Sequence, residues 1–524
     1  MEKDQEQPIV WHGQNEASND CLILNAADTV AVALQNLKKG QLVNGVTLNA
    51  AIPKGHKFAQ VNIDEGDDVI KYAQPIGVAN TNILAGDHVH THNLEFRETV
   101  CQYEFTSRFN NQDNVQSTES TESTDEFDGY VRPNGAVGTR NFVAVISSVN
   151  CSATAAYQIA AGFDDEALAE FPFVDGVNVF AHGTGCGLAD NGEGFDQLQR
   201  VFAGYATHPN VAAVLLVGLG CEVSQLKTLL DTYRFKEGPL LRTLNIQTSG
   251  GHQKTVEQGR ALVFDMLKAA NKHRRTPCSA SHLNLALQCG GSDAWSGVTA
   301  NPALGYAADL IVRQGGRVVL AETPEIYGAE HLLTRRATSE TVGKDLLARI
   351  NWWQDYVARN NGSLDNNPSP GNKLGGLTTI LEKSLGAVAK SGTTSMTGVY
   401  KYAEPIDKPG FAFMDSPGYD PVSVTGQIAS GCNVVAFTTG RGSTFGSKPA
   451  PCFKIATNTD MYQRMSDDMD VDAGRILSDG KSIQDIGTEI YQLVLSIASG
   501  QQSLSEMQNM GNNEFVPWQI GATM

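Results

Sequence analysis

The sequence has no apolar stretch long enough to cross a membrane. Its longest apolar run, Val211 to Val217, is far shorter than the ~20 residues that a bilayer span requires. The N-terminus is rich in Glu, Gln and Asp and lacks the basic and apolar regions of a secretory signal. We therefore expect a cytoplasmic protein that makes no contact with a membrane.

Positive charge is also scarce. The 524 residues include 39 Lys and Arg against 57 Asp and Glu, which gives a formal charge of −18. Because no Lys/Arg cluster offsets this excess, the chain has little to attract nucleic-acid phosphates or anionic lipids. The expected partner is a small molecule, with no role for nucleic acid, and a homo-oligomer is compatible with this composition.

Closely paired cysteines and nucleotide-binding motifs are missing as well. The nine cysteines contain no CxxC pair, from which structural zinc sites usually take their ligands, and they lack the tight spacing of a disulfide framework. The sequence GTGCG at 183–187 lacks the last glycine of a GxGxxG fingerprint, and no GxxxxGK[ST] loop occurs. Nucleotide binding is therefore disfavoured.

The amino-acid pattern predicts an all-β unit followed by a larger α/β body. Short β-like runs separated by Gly, Asn, Asp and Pro indicate the first, and apolar runs alternating with amphipathic segments indicate mostly parallel strands in the second. An acidic segment rich in Ser and Thr from 113 predicts a mobile connection. The predicted segments are a tail (1–21), an all-β domain (22–95), a linker (96–128) and two parts of the body (129–365 and 366–524), divided near a polar stretch at 360–372.

Short apolar runs in the body mark the predicted strands, and chemically capable loops follow them. In an open parallel sheet, ligands bind outside the carboxyl ends of the strands, so these loops are the expected site. The predicted strands are 141–147, 176–181, 211–217, 283–287, 317–320, 410–414, 433–437 and 453–456.

Four of these loops contain a cysteine, at Cys151, Cys186, Cys221 and Cys289. At equivalent strand ends the four thiols would converge, which indicates an iron–sulfur or metal site. A free cysteine is also a small hydrophobe that is common at buried strand ends. Both interpretations stay open at this point.

Three histidines alternate in the sequence GDHVHTHN at 86–93. On an extended strand His88, His90 and His92 share one face, so at least two imidazoles could bind the same cation. Imidazole suits Fe²⁺, Mn²⁺ and Zn²⁺. Nearby, His56 and Lys57 could contribute positive charge for a substrate carboxylate.

The sequence TTGRG at 438–442 combines hydroxyl groups with an arginine between two glycines. A guanidinium presented on such a turn can grip a carboxylate through two parallel hydrogen bonds. We therefore predict that Arg441, with Thr439 beside it, binds an acid substrate.

Taken together, several motifs resemble the altronate/galactarate dehydratase family, and they occur in the family's order from about residue 25 to the C-terminus. This resemblance implies a small N-terminal β-clip domain of the SAF type joined to an α/β catalytic body. The motifs are GHKFA (55–59), GDHVHTHN (86–93), GYVRPNGAVGTRN (129–141), GLGCE (218–222), CGGSDAWSGVTANPALG (289–305), NPSPGNKLGG (367–376), KSLG (383–386) and TTGRG (438–442).

The resemblance also implies a lyase of hexuronate breakdown that removes water from a sugar acid with the help of a divalent metal, Fe²⁺ first and Mn²⁺ or another ion as alternatives. D-altronate would give 2-dehydro-3-deoxy-D-gluconate, and galactarate is the alternative substrate. The expected metal ligands are His88 and His90, with His92, Cys221 and Cys289 as further candidates. The expected base is one of Glu222, Asp293 and His182, and the expected substrate-binding residues are Arg441, Lys57, His56, Thr439, Asn372 and Ser292.

Two other functions compete with a metal-dependent dehydratase. An iron–sulfur redox protein or hydro-lyase would use Cys151, Cys186, Cys221 and Cys289. A non-catalytic binding module would capture a polyol or anion with the β domain, but it has no use for a large α/β body with polar sheet-edge loops.

Overall fold

The structure of the protein is a computed structural model that describes residues 20–98, 103–106 and 125–520. Within these ranges no helix is both long and apolar enough to span a bilayer.

The N-terminal domain consists of short strands joined by tight turns, as the alternation of β-like runs and turn residues predicts. The strands form a four-stranded antiparallel sheet (β1-β2-β5-β8), a hairpin (β3-β4) and a three-stranded sheet (β6-β7-β9). Their bounds are β1 Cys21–Leu22, β2 Val30–Ala33, β3 Leu42–Val43, β4 Val46–Thr47, β5 Lys57–Ala59, β6 Asp68–Lys71, β7 Gln74–Ala79, β8 His88–Val89 and β9 Leu94–Glu95.

The predicted linker ends earlier than the sequence indicates. A strand, β10 (Glu126–Val131), pairs Glu126 with Ser279 and Phe127 with Cys278. The prediction of a linker is therefore wrong for residues 126–128, because the apolar Phe127 is buried against the body. The acidic Ser/Thr segment from 113 to 124 and the tail up to residue 19 lie outside the described residues.

A four-stranded parallel sheet forms the middle of the chain, in the order β13-β12-β14-β15. Helices pack on it, and a small antiparallel sheet, β11-β10-β16, connects it to the rest of the body. The strands are β11 Val137–Gly138, β12 Phe142–Ser147, β13 Gly176–Phe180, β14 Val211–Gly218, β15 Leu241–Asn245 and β16 Thr276–Ser279, and the helices are α1 Ala153–Ala160, α2 Asp165–Leu168, α3 Glu193–Ala206, α4 Leu226–Tyr233 and α5 His252–Ala270.

A seven-stranded parallel sheet follows, in the order β19-β20-β18-β17-β21-β22-β23. Its strands are β17 Asn284–Cys289, β18 Arg317–Leu320, β19 Met396–Tyr400, β20 Gly410–Met414, β21 Val434–Thr439, β22 Cys452–Ala456 and β23 Val471–Asp472. Its helices are α6 Ala300–Arg313, α7 Glu330–Thr334, α8 Glu340–Arg359, α9 Pro370–Leu374, α10 Ile380–Val388, α11 Asp420–Ala429, α12 Thr459–Arg464, α13 Arg475–Ser478, α14 Ile483–Ala498 and α15 Leu504–Met507. Single 3₁₀ turns occur at Asn150–Ser152, Ala280–His282, Thr323–Glu325, Leu364–Asn366 and Ala389–Ser391.

The body divides between its two parallel sheets, around residues 246–283, rather than at 365. The seven-stranded sheet begins at β17 and ends at β23, so it runs through the predicted boundary. The polar stretch at 360–372 is ordered and contains α9. The predicted boundary at this stretch is wrong, because its polar side chains contribute to a site and do not form a linker.

The N-terminal domain packs directly on the seven-stranded sheet. One hydrophobic core includes Val89 and Tyr72 from the first and Trp295, Leu385 and Val388 from the second. Burial of such apolar surface is the main force that holds the two units together.

Candidate active site

Ionisable side chains gather at the carboxyl edge of the seven-stranded sheet, where neighbouring strands end. Cys289 ends β17, Glu322 and Glu325 follow β18, and Asp420 begins α11 after β20. All but the half-buried Asp420 are buried. We call this group the buried charge cluster: Cys289, Glu322, Glu325, Lys383, Lys390 and Asp420.

Direct contacts connect four members of this cluster: Cys289, Glu325, Lys383 and Lys390. Lys390 Nζ lies 2.8 Å from Cys289 Sγ, which lies 3.7 Å from Glu325 Oε2. Lys383 Nζ donates to Glu325 Oε1 at 2.6 Å and to Asn367 Oδ1 at 2.8 Å. Asn367 also donates to Glu325 Oε1 at 2.7 Å, so the segment taken for a linker holds this carboxylate in place.

The environment drives the two glutamate pKa values apart. Burial and the neighbouring charges of Glu325 and Asp420 raise the pKa of Glu322 well above its ordinary value. Against the effect of burial, the ammonium groups of Lys383 and Lys390 lower the pKa of Glu325. These shifts favour the protonated form of Glu322 and the ionised form of Glu325. Such a split within one site is a common basis for acid and base roles.

The other members also have shifted pKa values. Burial and the charge of Glu325 raise the pKa of Asp420 to about 6. Burial raises the pKa of the Cys289 thiol to about 11. Although burial opposes it, the charges of Glu325 and Cys289 raise the pKa of Lys383, and those of Cys289 and Glu322 raise that of Lys390.

The backbone at Glu322 is unusual. Its φ of 71° lies in the left-handed region, and its Oε1 has no hydrogen-bond partner among the described residues. A buried carboxyl oxygen without a partner is costly, and such strain is often found at functional positions. The Glu322 carboxyl group thus has an unused polar atom within the cluster.

The N-terminal domain forms one wall of this site. A cavity of about 10 Å³ is lined by Cys289, Ser292, Lys383 and, from the N-terminal domain, Tyr72. This volume holds about one water molecule. A sugar acid can therefore reach the cavity only after the N-terminal domain or a neighbouring loop has moved.

A buried ion triad ties the two units together beside the cavity. Glu382 on α10 accepts from Lys57 Nζ at 2.9–3.0 Å and from Lys71 Nζ at 2.8 Å, and all three side chains are almost fully buried. Lys57 also donates to Gly376 O at 2.7 Å. The prediction that Lys57 binds the substrate is therefore corrected, because its ammonium is engaged at the domain interface.

The histidines approach each other as the sequence predicts, and His56 joins them. His56 Nδ1 lies 3.1 Å from His88 Nε2, and the ring centres of His56, His88 and His90 are 5.1–5.6 Å apart. The predicted strand ends at Val89, where β8 ends, so His92 lies exposed in a turn, and its ring centre is 5.5 Å from that of His88. His90 Nε2 donates to Lys373 O at 2.9 Å.

His56 and His88 fit a divalent metal, judged by their nitrogen atoms. Two nitrogens at right angles, each ~2.1 Å from one ion, are ~3 Å apart, which matches their separation. Burial lowers the pKa of both imidazoles, so each is neutral and has a lone pair. His90 fits less well, since its ring nitrogens contact Lys373 O and Thr91 Oγ1.

The buried charge cluster is a second place where ligand atoms converge. Three ligand atoms, one each from Cys289, Glu322 and Glu325, lie within 4.8 Å of one another. No other group of three His, Cys, Asp or Glu side chains is this close among the described residues. Lys383 and Lys390 already neutralise this group, so an added dication would meet two ammonium ions. The histidines are therefore the better candidate for a metal site, and the cluster is the better candidate for acid–base chemistry.

Arg441 lies on the exposed rim next to the cluster, after β21. Its side chain passes the Gly375 backbone, and its guanidinium has no ion pair among the described residues. Thr439 Oγ1 accepts from Gly442 N at 3.1 Å and so shapes this turn. Asn372 donates to Ser292 O at 2.8 Å, so these two residues connect loops beside Arg441.

The three predicted bases instead have positions that stabilise loops. Asp293 accepts from Ser296, Thr457, Asn458 and the Trp295 amide. Such a fully bonded carboxylate is a poor base, because taking a proton would break its hydrogen bonds.

Glu222 and His182 lie on the four-stranded sheet, away from the cluster. Glu222 accepts from Ser148 Oγ at 2.9 Å and from the amides of Leu219 and Gly220. Burial lowers the pKa of His182 to about 4, and its ring packs against Phe202. The predictions of a base at these positions are not supported by the geometry.

The cysteines divide between the two sheets. Cys289 belongs to the seven-stranded sheet and is buried, whereas Cys151, Cys186 and Cys221 are exposed at the four-stranded sheet. The predicted convergence of all four is therefore wrong. Cys289 lies in the buried charge cluster without the other three, so Cys221 cannot share an ion with it.

Sequence reasoning missed most of the acid–base residues. Glu322, Glu325, Lys390 and Asp420 are not among the predicted site residues, although Glu322, Glu325 and Asp420 each come shortly after a predicted strand. An acid just beyond the carboxyl end of a parallel strand is the signal that identifies these three. Lys390 has no such signal, because it lies on the 3₁₀ turn after α10.

Comparison with known proteins agrees with this architecture. Three family models match consecutive parts of the chain: "Altronate/galactarate dehydratase SAF domain" over residues 19–97, "D-galactarate dehydratase/Altronate hydrolase, second domain" over 129–271 and "D-galactarate/Altronate dehydratase, C-terminal" over 280–523. Their bounds follow the division into an N-terminal domain and two sheets.

Several proteins are similar to this chain over nearly the full length of both sequences. Altronate dehydratase of Bacillus subtilis is 35% identical over 91% of this chain and 95% of its own. Altronate dehydratase of Escherichia coli is 34% identical over 96% and 99%, and galactarate dehydratase (L-threo-forming) of Escherichia coli is 35% identical over 91% and 92%. The chain therefore belongs to the D-galactarate/altronate dehydratase family and is a hydro-lyase of sugar acids.

Proposed function

We propose that this enzyme converts D-altronate to 2-dehydro-3-deoxy-D-gluconate and water in the cytosol. Two similar relatives are named altronate dehydratase, which supports this substrate. Galactarate is the second candidate, because a galactarate dehydratase is equally similar at 35% identity. The observation that carries the proposal is the buried charge cluster at the sheet edge, where carboxyl oxygens of Glu322 and Glu325 lie within 4.8 Å of each other and the two pKa values shift in opposite directions.

The reaction needs a base for the proton at C2 and an acid for the hydroxyl group at C3. Asp420 suits the base, since a pKa of about 6 lies near the working pH and leaves the group mostly ionised at pH 7. Glu322 suits the acid, because burial and the charges of Glu325 and Asp420 raise its pKa and so favour its protonated form.

Bonds and charges balance with these two groups. Asp420 accepts the C2 proton, and the electron pair of the C–H bond forms an enediolate with the carboxylate. The C2–C3 double bond then forms as the C3–O bond breaks, and the Glu322 proton completes the departing water. The resulting enol becomes the 2-keto product by gaining a proton at C3 and losing the proton of its C2 hydroxyl group.

The positive charges beside these groups suit the enediolate. Lys383 and Lys390 stay protonated, and their fixed ammonium groups lie in a dry site where they need no rearrangement. Preorganised charge of this kind is usually the largest contribution to catalysis. Arg441, on the rim, would grip the substrate carboxylate.

We also propose Fe²⁺ as the metal, with Mn²⁺ as an alternative, held by His56 and His88. When bound, the ion would supply a Lewis acid for substrate oxygen atoms. The neutral imidazoles and the 3.1 Å separation of their nitrogens support this assignment.

The test is a substrate panel. Purified protein with Fe²⁺ under reducing conditions is given aldonic and aldaric acids, and the 2-keto-3-deoxy product is measured. We expect D-altronate to give the highest kcat/KM. Preference for galactarate would move the assignment to the second candidate, and no product from any sugar acid would refute the proposal.

A further inference from the structure

The exposed cysteines all lie at one edge of the molecule. Among the described residues, Cys151, Cys186 and Cys221 are exposed, whereas the remaining cysteines are buried. Free cysteine is one of the most buried residue types, so exposure of several together is unusual. Their position in the fold is therefore informative.

Each of the three follows a different strand of the four-stranded sheet. Cys151 follows β12, Cys186 follows β13 and Cys221 follows β14. In the sheet these strands are direct neighbours and parallel, with β12 in the centre. Neighbouring strands lie ~4.8 Å apart, so the three loops emerge side by side at the carboxyl edge.

Backbone hydrogen bonds tie these loops together. Asn150 N donates to Thr184 O at 3.0 Å, and Ser224 N donates to Gly185 O at 3.2 Å. A Cβ atom at Gly185 would lie 2.3 Å from Ser148 O, and its φ is +99°. Only glycine permits this close approach, which brings the Cys186 loop onto the Cys151 loop.

A single metal ion does not fit the spacing of the three sulfur atoms. Two thiolates on one zinc ion, each at ~2.3 Å, can be at most ~4.6 Å apart. The three sulfurs are not all within 4.8 Å of one another. A multinuclear cluster permits a wider spacing of the sulfur atoms than a single ion, because each thiolate then binds a different iron.

We propose that Cys151, Cys186 and Cys221 ligate a cubane iron–sulfur cluster through their thiolates, with the fourth iron open to an oxygen ligand. Each cysteine loses one proton when its Fe–S bond forms. The site lies on the other sheet from the buried charge cluster. It does not depend on the proposed substrate.

The edge has room for a small molecule beside such a cluster. Thr184, which accepts from the loop of Cys151, lines a cavity of about 600 Å³. Ligand pockets typically measure ~300–1,000 Å³. Polar and aromatic side chains on the facing wall include Trp352, Asn360 and Gln519.

The experiment is anaerobic reconstitution of the full-length protein with Fe²⁺ and sulfide. We expect ~4 iron and ~4 acid-labile sulfide per chain, with the broad visible absorption of a [4Fe–4S] cluster. Cys151→Ser, Cys186→Ser and Cys221→Ser should each lose most of the bound sulfide. Cys278→Ala, at a buried cysteine elsewhere, is the matched control and should retain it.

Thiol alkylation gives a second measurement that does not depend on the variants. In wild-type protein, reconstitution should protect Cys151, Cys186 and Cys221 from iodoacetamide, as mapped by mass spectrometry. The proposal would be overturned by iron that binds without sulfide, or by a cluster that persists in all three serine variants. Equal alkylation before and after reconstitution would also overturn it.

Discussion

Replacing Glu382 by Gln tests how the N-terminal domain is held over the active site. In the wild type, Glu382 neutralises Lys57 and Lys71, both almost fully buried. The Glu382→Gln variant keeps the shape of this side chain but leaves two buried ammonium groups without an anion. Removing one partner of a buried ion pair costs about 3–5 kcal/mol.

Lys57→Met should cost less, because Lys71 and Glu382 remain as a neutral pair. Burial lowers the pKa of Lys57 to about 8, whereas the charge of Glu382 raises the pKa of Lys71 despite its burial. Lys57 is thus the weaker partner. Its removal leaves Gly376 O without a donor, which costs about 1–3 kcal/mol.

Calorimetry of the full chain is the assay, with hydrogen exchange at 57–59 and 380–388 as the local readout. At ~2–4 °C per kcal/mol, Glu382→Gln should lower the Tm of the affected transition by ~6–20 °C. The control is Lys54→Met, which removes a pair with Asp460 at the same interface whose side chains are 43% and 67% exposed. Exposed pairs contribute ~0–1 kcal/mol. If Glu382→Gln melts no earlier than Lys54→Met, the triad does not hold the domain.

Three further predictions concern pH, substrate and metal. Against the effect of burial, Lys57 and Lys71 lower the pKa of Glu382 in the folded state. The ionised carboxylate therefore stabilises the fold fully above its ordinary pKa of 4.5, and this stabilisation is lost as the pH falls below that value. The free energy of unfolding of Glu382→Gln should not show this loss in acid, and a pH profile equal to that of the wild type would contradict the assignment. Arg441→Lys removes a bidentate grip worth ~1.5–3 kcal/mol, so kcat/KM on altronate should fall ~10- to 100-fold, and wild-type kinetics would exclude Arg441 from carboxylate binding. His56→Ala and His88→Ala should each lower the amount of bound Fe²⁺ measured by metal analysis. His92→Ala, in the exposed turn, should not lower it. Equal amounts of iron in all three variants would refute the assignment of the metal to His56 and His88.

Hydrophobic periodicity was sufficient to predict most strands of the body. The strands at 317–320 and 410–414 have the predicted bounds, because buried parallel strands are continuous apolar runs. β15 and β19 were missed, since Leu241–Asn245 and Met396–Tyr400 contain polar residues and are incompletely buried edge strands.

The site was less predictable, because it depends on contacts between distant parts of the chain. Lys57 and Glu382 are more than 300 residues apart in the sequence, and nothing in the sequence around either residue indicates that they form an ion pair. Lys57 was predicted to bind the substrate because the sequence does not show whether an individual lysine is buried. Conversely, the proximity of His88, His90 and His92 was predictable, because the three histidines alternate within one short motif.

The division of the body was predicted wrongly for a related reason. Polar residues at 360–372 resemble a linker, but Asn367 is required to hold Glu325 and Lys383. A polar segment that serves a buried site has the same composition as one that faces water.

The central claim is that Glu322 supplies the proton for the departing hydroxyl group while another group removes the C2 proton. The direct measurement compares wild type, Glu322→Gln and the exposed control Glu340→Gln on D-altronate, following both product formation and exchange of the C2 proton with solvent deuterium. Glu322→Gln should lose ~10²- to 10⁴-fold in product formation yet still exchange the C2 proton, and Glu340→Gln should match wild type. Wild-type product formation by Glu322→Gln would contradict the account.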